Sequence, residues 1–331
     1  MAESSASLDK TLAIILAAGR STRMQSDVPK VLHEVCGQPM LRHVLTACRL
    51  AGVDRLIVVV GHGKDQVMQA FSGDGDITWV EQADQKGTGH AVQACSEELD
   101  GVEGNLLVIA GDMPLVRRVT LSSLLETRVR RGDALSLATA FLDNPAGYGR
   151  IIRDADGQLE AVVEHKDCTD EQLAIKEVNP SYYCFDCKAA LNAIGQIGPN
   201  PASGELQITD IVRVLREGGR GVSAVVTVGA EDAMGVNSRL DLAAVSRVMQ
   251  DRIQLSLMNE GVTIVDPDNT WIEAEATAGV DTTIYPFTVI GAGATIGSGC
   301  RIGPLVSIRP GEMVPDGSVV GSPVSVGTGA P

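Results

Sequence analysis

The sequence predicts an α/β domain with a largely parallel sheet, followed by a parallel β-helix. Three observations carry this. Up to about residue 230, short apolar runs alternate with longer amphipathic stretches. The apolar run Leu12-Ala13-Ile14-Ile15-Leu16 stops at Ala17-Ala18-Gly19, and a basic, hydroxyl-rich loop with Arg20, Ser21, Thr22, Arg23 and Lys30 follows. From Ile284 onward an aliphatic residue recurs every six positions, at Ile290, Ile296, Ile302, Ile308, Val314, Val320 and Val326, with glycine after it at 291, 297, 303, 321 and 327. Three hexads make one triangular coil, so two to three coils are expected.

Leu12 to Leu16 is too short to span a bilayer and is bounded by turn chemistry, so it reads as a buried parallel strand. The small residues after it let a ligand approach the backbone, where N–H groups and cations suit a triphosphate. Met40 to Ala51 reads as a helix stopped by Gly52, and Leu56 to Val60 as a strand closed by Gly61-His62-Gly63. A helix over 64–71, a strand at Ile77 to Val80, a glycine-bearing loop at Gln82 to His90 and a helix from Ala91 to Leu99 follow. Leu106 to Ala110 is a further strand, ending in Gly111-Asp112-Met113-Pro114. Loops that follow parallel strands share one edge, where open α/β sheets bind ligands.

Segments 147–150, 162–166 and 178–180 read as strands and connections forming a lid or second wall, and Gly204 to Asp210 opens a helix running to about Arg216. Residues 237–260 read as a long helix with Leu240, Ala244, Val248 and Leu255 among its apolar positions and Gly261 as its stop. The expected organisation is a frayed tail over 1–10, a first domain over 11–236, a linking helix over 237–261 and the β-helix over 262–331.

A formal charge of −15 argues against a general binder of nucleic acid or membrane surfaces, since both present anions. A nucleotide site must then gather its cations locally. The start, MAESSASLDK, is acidic and polar, so neither a signal peptide nor an anchor is expected, and the cytoplasm is the expected location. Seven scattered cysteines read as reduced thiols. Cys184-Phe185-Asp186-Cys187 has no second pair and no nearby His, and it follows a strand-like Ser181-Tyr182-Tyr183.

Asp112, directly after a buried strand and near a phosphate loop, suits Mg²⁺, which takes one or two carboxylates plus phosphate oxygens and water. It equally suits a turn cap before Pro114. Lys30 and Arg23 lie in a loop of little apolar content and suit phosphate contact, or simple solvation. Gln82, Gly87 and Thr88 suit base recognition through a paired amide, close approach and a hydroxyl. His90 reads as structural, and His165 as either functional or a surface residue. No Walker loop G-x-x-x-x-G-K-[ST] occurs at this site, and no covalent nucleophile pattern accompanies it. Direct displacement at phosphorus, driven by positioning and charge neutralisation, is the chemistry that remains.

Leu16-Ala17-Ala18-Gly19 with Thr22-Arg23-Met24 and Pro29-Lys30 resembles the signature of sugar-phosphate nucleotidylyltransferases. The segment QADQKGTGH at 82–90, Gly111-Asp112, Gly147 to Arg150, Val163 to Asp167, Gly204-Glu205 with Ile208-Thr209-Asp210, and Gly235-Val236-Asn237 continue it in order. The succession is similar to the uridylyltransferase half of bifunctional N-acetylglucosamine-1-phosphate uridylyltransferase/glucosamine-1-phosphate acetyltransferases, over about residues 11 to 260. The hexads resemble the start of that family's left-handed β-helix.

The resemblance implies a Rossmann-like nucleotidyltransferase domain and a reaction in which UTP and N-acetylglucosamine 1-phosphate give UDP-N-acetylglucosamine and pyrophosphate. It implies that Leu16, Ala17, Ala18, Gly19, Gln82, Gly87, Thr88 and Gly111 hold the nucleotide. Arg23 and Lys30 would neutralise the phosphates, Asp112 and Asn237 would hold Mg²⁺, and Gly149, Glu164, Asn179 and Asn237 would face the sugar phosphate. Asn237 is equally compatible with a helix cap. Three departures stand out: Ser21 in place of a second loop glycine, Ala110 where a tyrosine can occur, and Asn179-Pro180-Ser181 in place of Asn-Thr-Gly. The few coils lead to an expectation of no acetyltransferase activity, and open coil edges to possible trimerisation. Alternative readings are transfer to another hexose 1-phosphate, or a non-catalytic UTP-binding regulator.

Overall fold

The computed structural model describes residues 10–20, 22–201 and 203–321. The tail expected over 1–10, apart from Lys10, lies outside the described residues, as do Ser21 and the hexad positions Val326 and Gly327. The chain divides into two compact units. One comprises the residues up to His33 and Met40–Ser238, the other Glu34–Pro39 and the residues from Arg239 onward.

The first unit begins with β1 (Thr11–Ala17). The hairpin of β2 (Glu34–Val35) and β3 (Gln38–Pro39) that comes next in sequence belongs to the second unit. There follow α1 (Met40–Leu50), β4 (Arg55–Val60), α2 (Lys64–Ala70), β5 (Ile77–Glu81), α3 (Thr88–Gln93), α4 (Ser96–Leu99), β6 (Asn105–Ala110), α5 (Arg118–Arg131) and β7 (Leu135–Phe141). The unit closes with β8 (Gly149–Arg153), β9 (Leu159–Val163), α6 (Asp170–Leu173), β10 (Glu177–Asn179), β11 (Tyr182–Asp186), α7 (Cys187–Ile194), α8 (Ile211–Glu217) and β12 (Val222–Val226). These strands form one ten-stranded sheet in the order β5-β4-β1-β6-β11-β7-β10-β8-β9, with β12 beside β7.

β1 lies between β4 and β6, parallel to both. Its Leu12 and Ile14 enter the core on one face, and Ala13, Ile15 and Ala17 the core on the other. Burial on both faces is why the run is continuously apolar. Removing Ile14 and Ile15 from water contributes about 1.5–3 kcal/mol each. In α1, Met40, Leu41, Val44, Leu45, Ala47 and Cys48 are buried, the spacing of one helical face.

The expected helix over 91–99 is two short helices, α3 and α4, and the first turn of α3 is formed by Thr88-Gly89 of the preceding loop. α5 carried no expectation of its own. Its buried residues are Thr120, Leu121, Leu124, Thr127 and Arg128, a helical spacing whose polar members blur the apolar period. All seven cysteines are free, and burial pushes the Cys48, Cys95 and Cys184 thiols up to about 12, which leaves them inert near neutrality.

The second unit holds the hairpin, α9 (Arg239–Asn259) and ten short strands: β13 (Thr263–Ile264), β14 (Thr270–Ile272), β15 (Thr277–Ala278), β16 (Thr283–Ile284), β17 (Thr288–Ile290), β18 (Thr295–Ile296), β19 (Arg301–Ile302), β20 (Ser307–Ile308), β21 (Met313–Val314) and β22 (Val319–Val320). They stack as three parallel sheets, β13-β16-β19-β22, β14-β17-β20 and β15-β18-β21, the faces of a left-handed parallel β-helix. Ile284 pairs with Ile302 and Ile302 with Val320, three hexads on each time. Gly279, Gly291 and Gly297 sit where coils touch: a Cβ on any of them would lie within 2.6 Å of the next coil, at Ser298, Pro310 or Asp316. The hairpin turns at Cys36 and Gly37, both with positive φ, as a two-residue turn of this twist requires.

α9 departs from expectation in its buried face. Leu240 and Leu255 are 83% and 56% exposed, whereas Val245, Gln250, Gln254 and Leu257 are buried. The two glutamines close the open edge of β14. Ile272 N–H donates to Gln250 Oε1 at 2.9 Å, and Gln250 Nε2 donates back to the Ile272 carbonyl. Gln254 Nε2 donates to the carbonyls of Thr270 at 2.8 Å and Pro267 at 3.1 Å. Gln250→Ala should strand the Ile272 backbone groups and destabilise the second unit by about 1–3 kcal/mol. Urea unfolding followed by Trp271 fluorescence in a Trp79→Phe background measures this, and an unchanged midpoint would refute it.

Candidate active site

Parallel pairing aligns the ends of β1, β4 and β6, with Leu16 opposite Val59 on one side and Ala110 on the other. The loops at 17–20, 61–63 and 111–114 therefore leave the sheet together. Gly61 permits this, because a Cβ there would lie 2.9 Å from the Ala18 carbonyl oxygen. Gly111 N–H donates to the Leu16 carbonyl at 2.9 Å, and Gln85 Nε2 to that of Ala18 at 2.6 Å. Ala17 and Ala18 are buried while Gly19 is exposed, so the loop presents backbone rather than side chains.

Gln82, itself buried, donates from Nε2 to the Gly87 carbonyl at 3.0 Å and lies 3.0 Å from His90 Nδ1. Gly87 has φ +106°, and a Cβ on it would meet the Leu206 carbonyl oxygen at 2.5 Å. Gly89 N–H donates to that same carbonyl at 2.7 Å, and Ile208 N–H donates to Thr88 Oγ1 at 3.1 Å. Two motifs far apart in sequence, 82–90 and 204–210, are thus one structure. Thr88 accepts there, which leaves its hydroxyl proton for a ligand.

Between these loops lies a cavity of about 410 Å³. Leu16, Ala17, Ala18, Gly19, Lys30, Gln82, Gly87, Thr88, Asp112 and Glu164 line it. Of the other expected site residues, Gly111, Arg23, Asn237, Gly149 and Asn179 do not. Gly111 lies behind the loop against Leu16. Arg23 and Asn237 stand beside Lys30: Lys30 Nζ donates to Asn237 Oδ1 at 2.8 Å, Arg23 Nη2 to the same oxygen at 3.0 Å, and Lys30 is ion-paired with Asp112. Asp112 Oδ2 and Asn237 Oδ1 converge on one ammonium. Two hard oxygens on one cation are a donor set that fits a magnesium ion completed by phosphate oxygens and water. Among the described residues no group of three or more His, Cys, Asp or Glu side chains could hold a metal, so such an ion here would depend on ligand oxygens.

The segment that carries Asn237 is held from several sides. Val236 N–H donates to the Asp112 carbonyl at 3.0 Å, Tyr148 Oη to that of Ala233 at 3.0 Å and Tyr182 Oη to that of Asp232 at 3.1 Å. Arg117 Nε pairs with buried Asp232 at 2.6 Å.

β8, β9 and β10 build the far wall. Gly149 is opposite Asn179, and a Cβ on Gly149 would be 3.7 Å from Glu164 Oε2. Glu164 Oε1 accepts from Thr209 Oγ1 at 3.2 Å. Burial pushes the Glu164 carboxyl above its ordinary 4.5, opposed in part by the Thr209 bond and by Lys166. Asn179 is only 5% exposed and bonds within its own chain. Ser181, singled out in the sequence only as part of the Asn179-Pro180-Ser181 departure, lines the cavity, and so does Tyr183, which sequence reasoning missed because its run read as a strand. It also missed Gln85 and Glu205, although both stand inside motifs it singled out.

The parallel strands β5, β4, β1 and β6 of this mixed sheet thus bring a small-residue loop, two cations and a carboxylate together at their exits. Residues 13–174 match the MobA-like NTP transferase domain. It is similar to proteins named bifunctional protein GlmU: 42% identical over 278 residues to that of Clostridium acetobutylicum, 44% over 278 residues to that of Trichlorobacter lovleyi and 43% over 281 residues to that of a Geobacillus species. These matches cover 84–85% of this chain and 60–61% of the relatives. No helix among the described residues is long and apolar enough to cross a membrane.

The raised Glu164 carboxyl fixes a pH signature. The folded chain keeps this proton where the unfolded chain has released it, so the group favours folding most below about pH 4.5 and progressively less as pH rises through the folded value. Glu164→Gln should be stabilised relative to wild type at pH 7, by an amount that shrinks toward pH 4. Chemical denaturation at the two pH values measures it, and an equal difference at both would refute the burial of this charge.

Proposed function

We propose that the protein is a UTP-dependent uridylyltransferase that converts N-acetylglucosamine 1-phosphate into UDP-N-acetylglucosamine and pyrophosphate. The observation that carries this reading is the convergence of Lys30 Nζ on Asp112 and Asn237, with Arg23 on the same amide oxygen, beside the Leu16 to Gly19 loop. The relatives' similarity supports it.

In this reading Leu16, Ala17, Ala18, Gly19 and Gly111 shape the backbone cradle of the nucleotide, and Gln82, Gly87 and Thr88 meet the uracil. A phosphate oxygen of the sugar 1-phosphate forms a bond to the α-phosphorus of UTP as the bond to the bridging oxygen of pyrophosphate breaks. Arg23 and Lys30 take up the charge of the departing pyrophosphate, and no covalent enzyme group is needed. Asp112 and Asn237 would hold Mg²⁺, which supplies neutralisation of phosphate charge. Gly149, Glu164 and Asn179 form the wall toward the sugar. The protein would act in the cytoplasm on small substrates without nucleic acid or membrane, and assemble as a trimer through the β-helix. A monomeric mass by light scattering would remove the trimer.

Pyrophosphate release measured across UTP, dTTP and CTP with several sugar 1-phosphates should be fastest for UTP with N-acetylglucosamine 1-phosphate. Release with none of them would sink the catalytic reading, and a preference for another hexose phosphate would replace the sugar. Asp112→Ala should lower turnover by about 100-fold or more with an unchanged circular dichroism spectrum, and near-normal turnover would refute its role.

A further inference from the structure

The connection from β10 into β11 places a serine in an unusual backbone conformation at the cavity wall. Ser181 has φ +65°, in the left-handed region that side chains rarely adopt. Its N–H donates to Asn179 Oδ1 at 3.0 Å, a side-chain turn that holds it there. Glycine would take this conformation without strain, and the nucleotidylyltransferases that the sequence resembles commonly carry Asn-Thr-Gly in place of Asn179-Pro180-Ser181. What serine adds is a hydroxyl, and Ser181 lines the cavity together with Glu164 and Tyr183.

The groups behind it hold the backbone that carries that hydroxyl. Asn179 is buried, with Oδ1 engaged by Ser181 and Nδ2 donating to Tyr183 Oη at 2.6 Å. Both ends of the Asn179 amide are thus engaged within the connection, and Ser181 is the residue of it, beside Tyr183, that lines the cavity. The amide that the family pattern assigns to the sugar thus acts through its neighbours.

We infer that Ser181 is a sugar-contacting residue whose hydroxyl donates to a hydroxyl or acetamido oxygen of the hexose 1-phosphate, with Asn179 and Tyr183 as positioning residues behind it. This rests on the nucleotidyl-transfer reading and deepens its sugar subsite. Ser181→Ala keeps the Cβ and deletes the hydroxyl, while Ser181→Gly also releases the backbone strain. In the full chain, pyrophosphate release is followed at varied N-acetylglucosamine 1-phosphate and at varied UTP, alongside thermal melting. Both variants should lose about tenfold in kcat/KM for the sugar phosphate while KM for UTP stays within about twofold, and Ser181→Gly should melt at or above the wild-type temperature.

Wild-type kcat/KM for the sugar phosphate in Ser181→Ala overturns the inference, as do equal losses for sugar phosphate and UTP, which mark a purely structural role. If the wild type releases no pyrophosphate with any sugar 1-phosphate, the nucleotidyl-transfer reading itself falls, and the Ser181 assignment with it.

Discussion

The Lys30 ammonium is the contact on which the arrangement of the site depends. It joins the loop after β1 to the end of β6 and to Asn237, 207 residues further along the chain. Asp112 and Asn237 would otherwise bring two electron-rich oxygens together without compensation, which is costly away from water. The cation makes their proximity favourable, and everything around it holds that proximity in place. Gly61 lets strand exits approach, Val236 binds the backbone of Asp112, and two tyrosines and Arg117 fix the segment that leads to Asn237. The charge needed for polyphosphate chemistry is therefore concentrated at one edge of a strongly acidic chain.

Features with a period or an abrupt ending were legible in the sequence. β1, β4 and β6 are buried on both faces, so their apolar runs are continuous and their polar exits stand out. The β-helix repeats every six residues because each face of a coil needs one inward aliphatic. Contacts that depend on distant partners were not legible. Asn237 looks like a helix cap until the fold sets it beside Lys30, and only the family resemblance singled it out. Tyr183 resembles any other strand residue in sequence, yet it lines the cavity. Asn179 shows the converse: the motif is legible, but burial turns its amide inward.

α9 failed the apolar-period reading for a related reason. A helix that covers the side of a coil must satisfy strand backbone groups as well as bury side chains, so Gln250 and Gln254 occupy positions where Leu would be expected. Four residues along a helix rise about 6 Å, close to the span of two strand residues. Two amides spaced in this way reach Thr270 and Ile272 in register.

Those amides stand in for a neighbouring strand. On this face the stack of coils starts against a helix, which pairs the Thr270 carbonyl and both Ile272 backbone groups without an earlier coil. Its beginning is closed by side chains, whereas each later coil is held by the one before it through the same repeated pairing. Coil number is thereby uncoupled from how the stack begins, and proteins built on this plan can lengthen or shorten it at the far side without rebuilding its start.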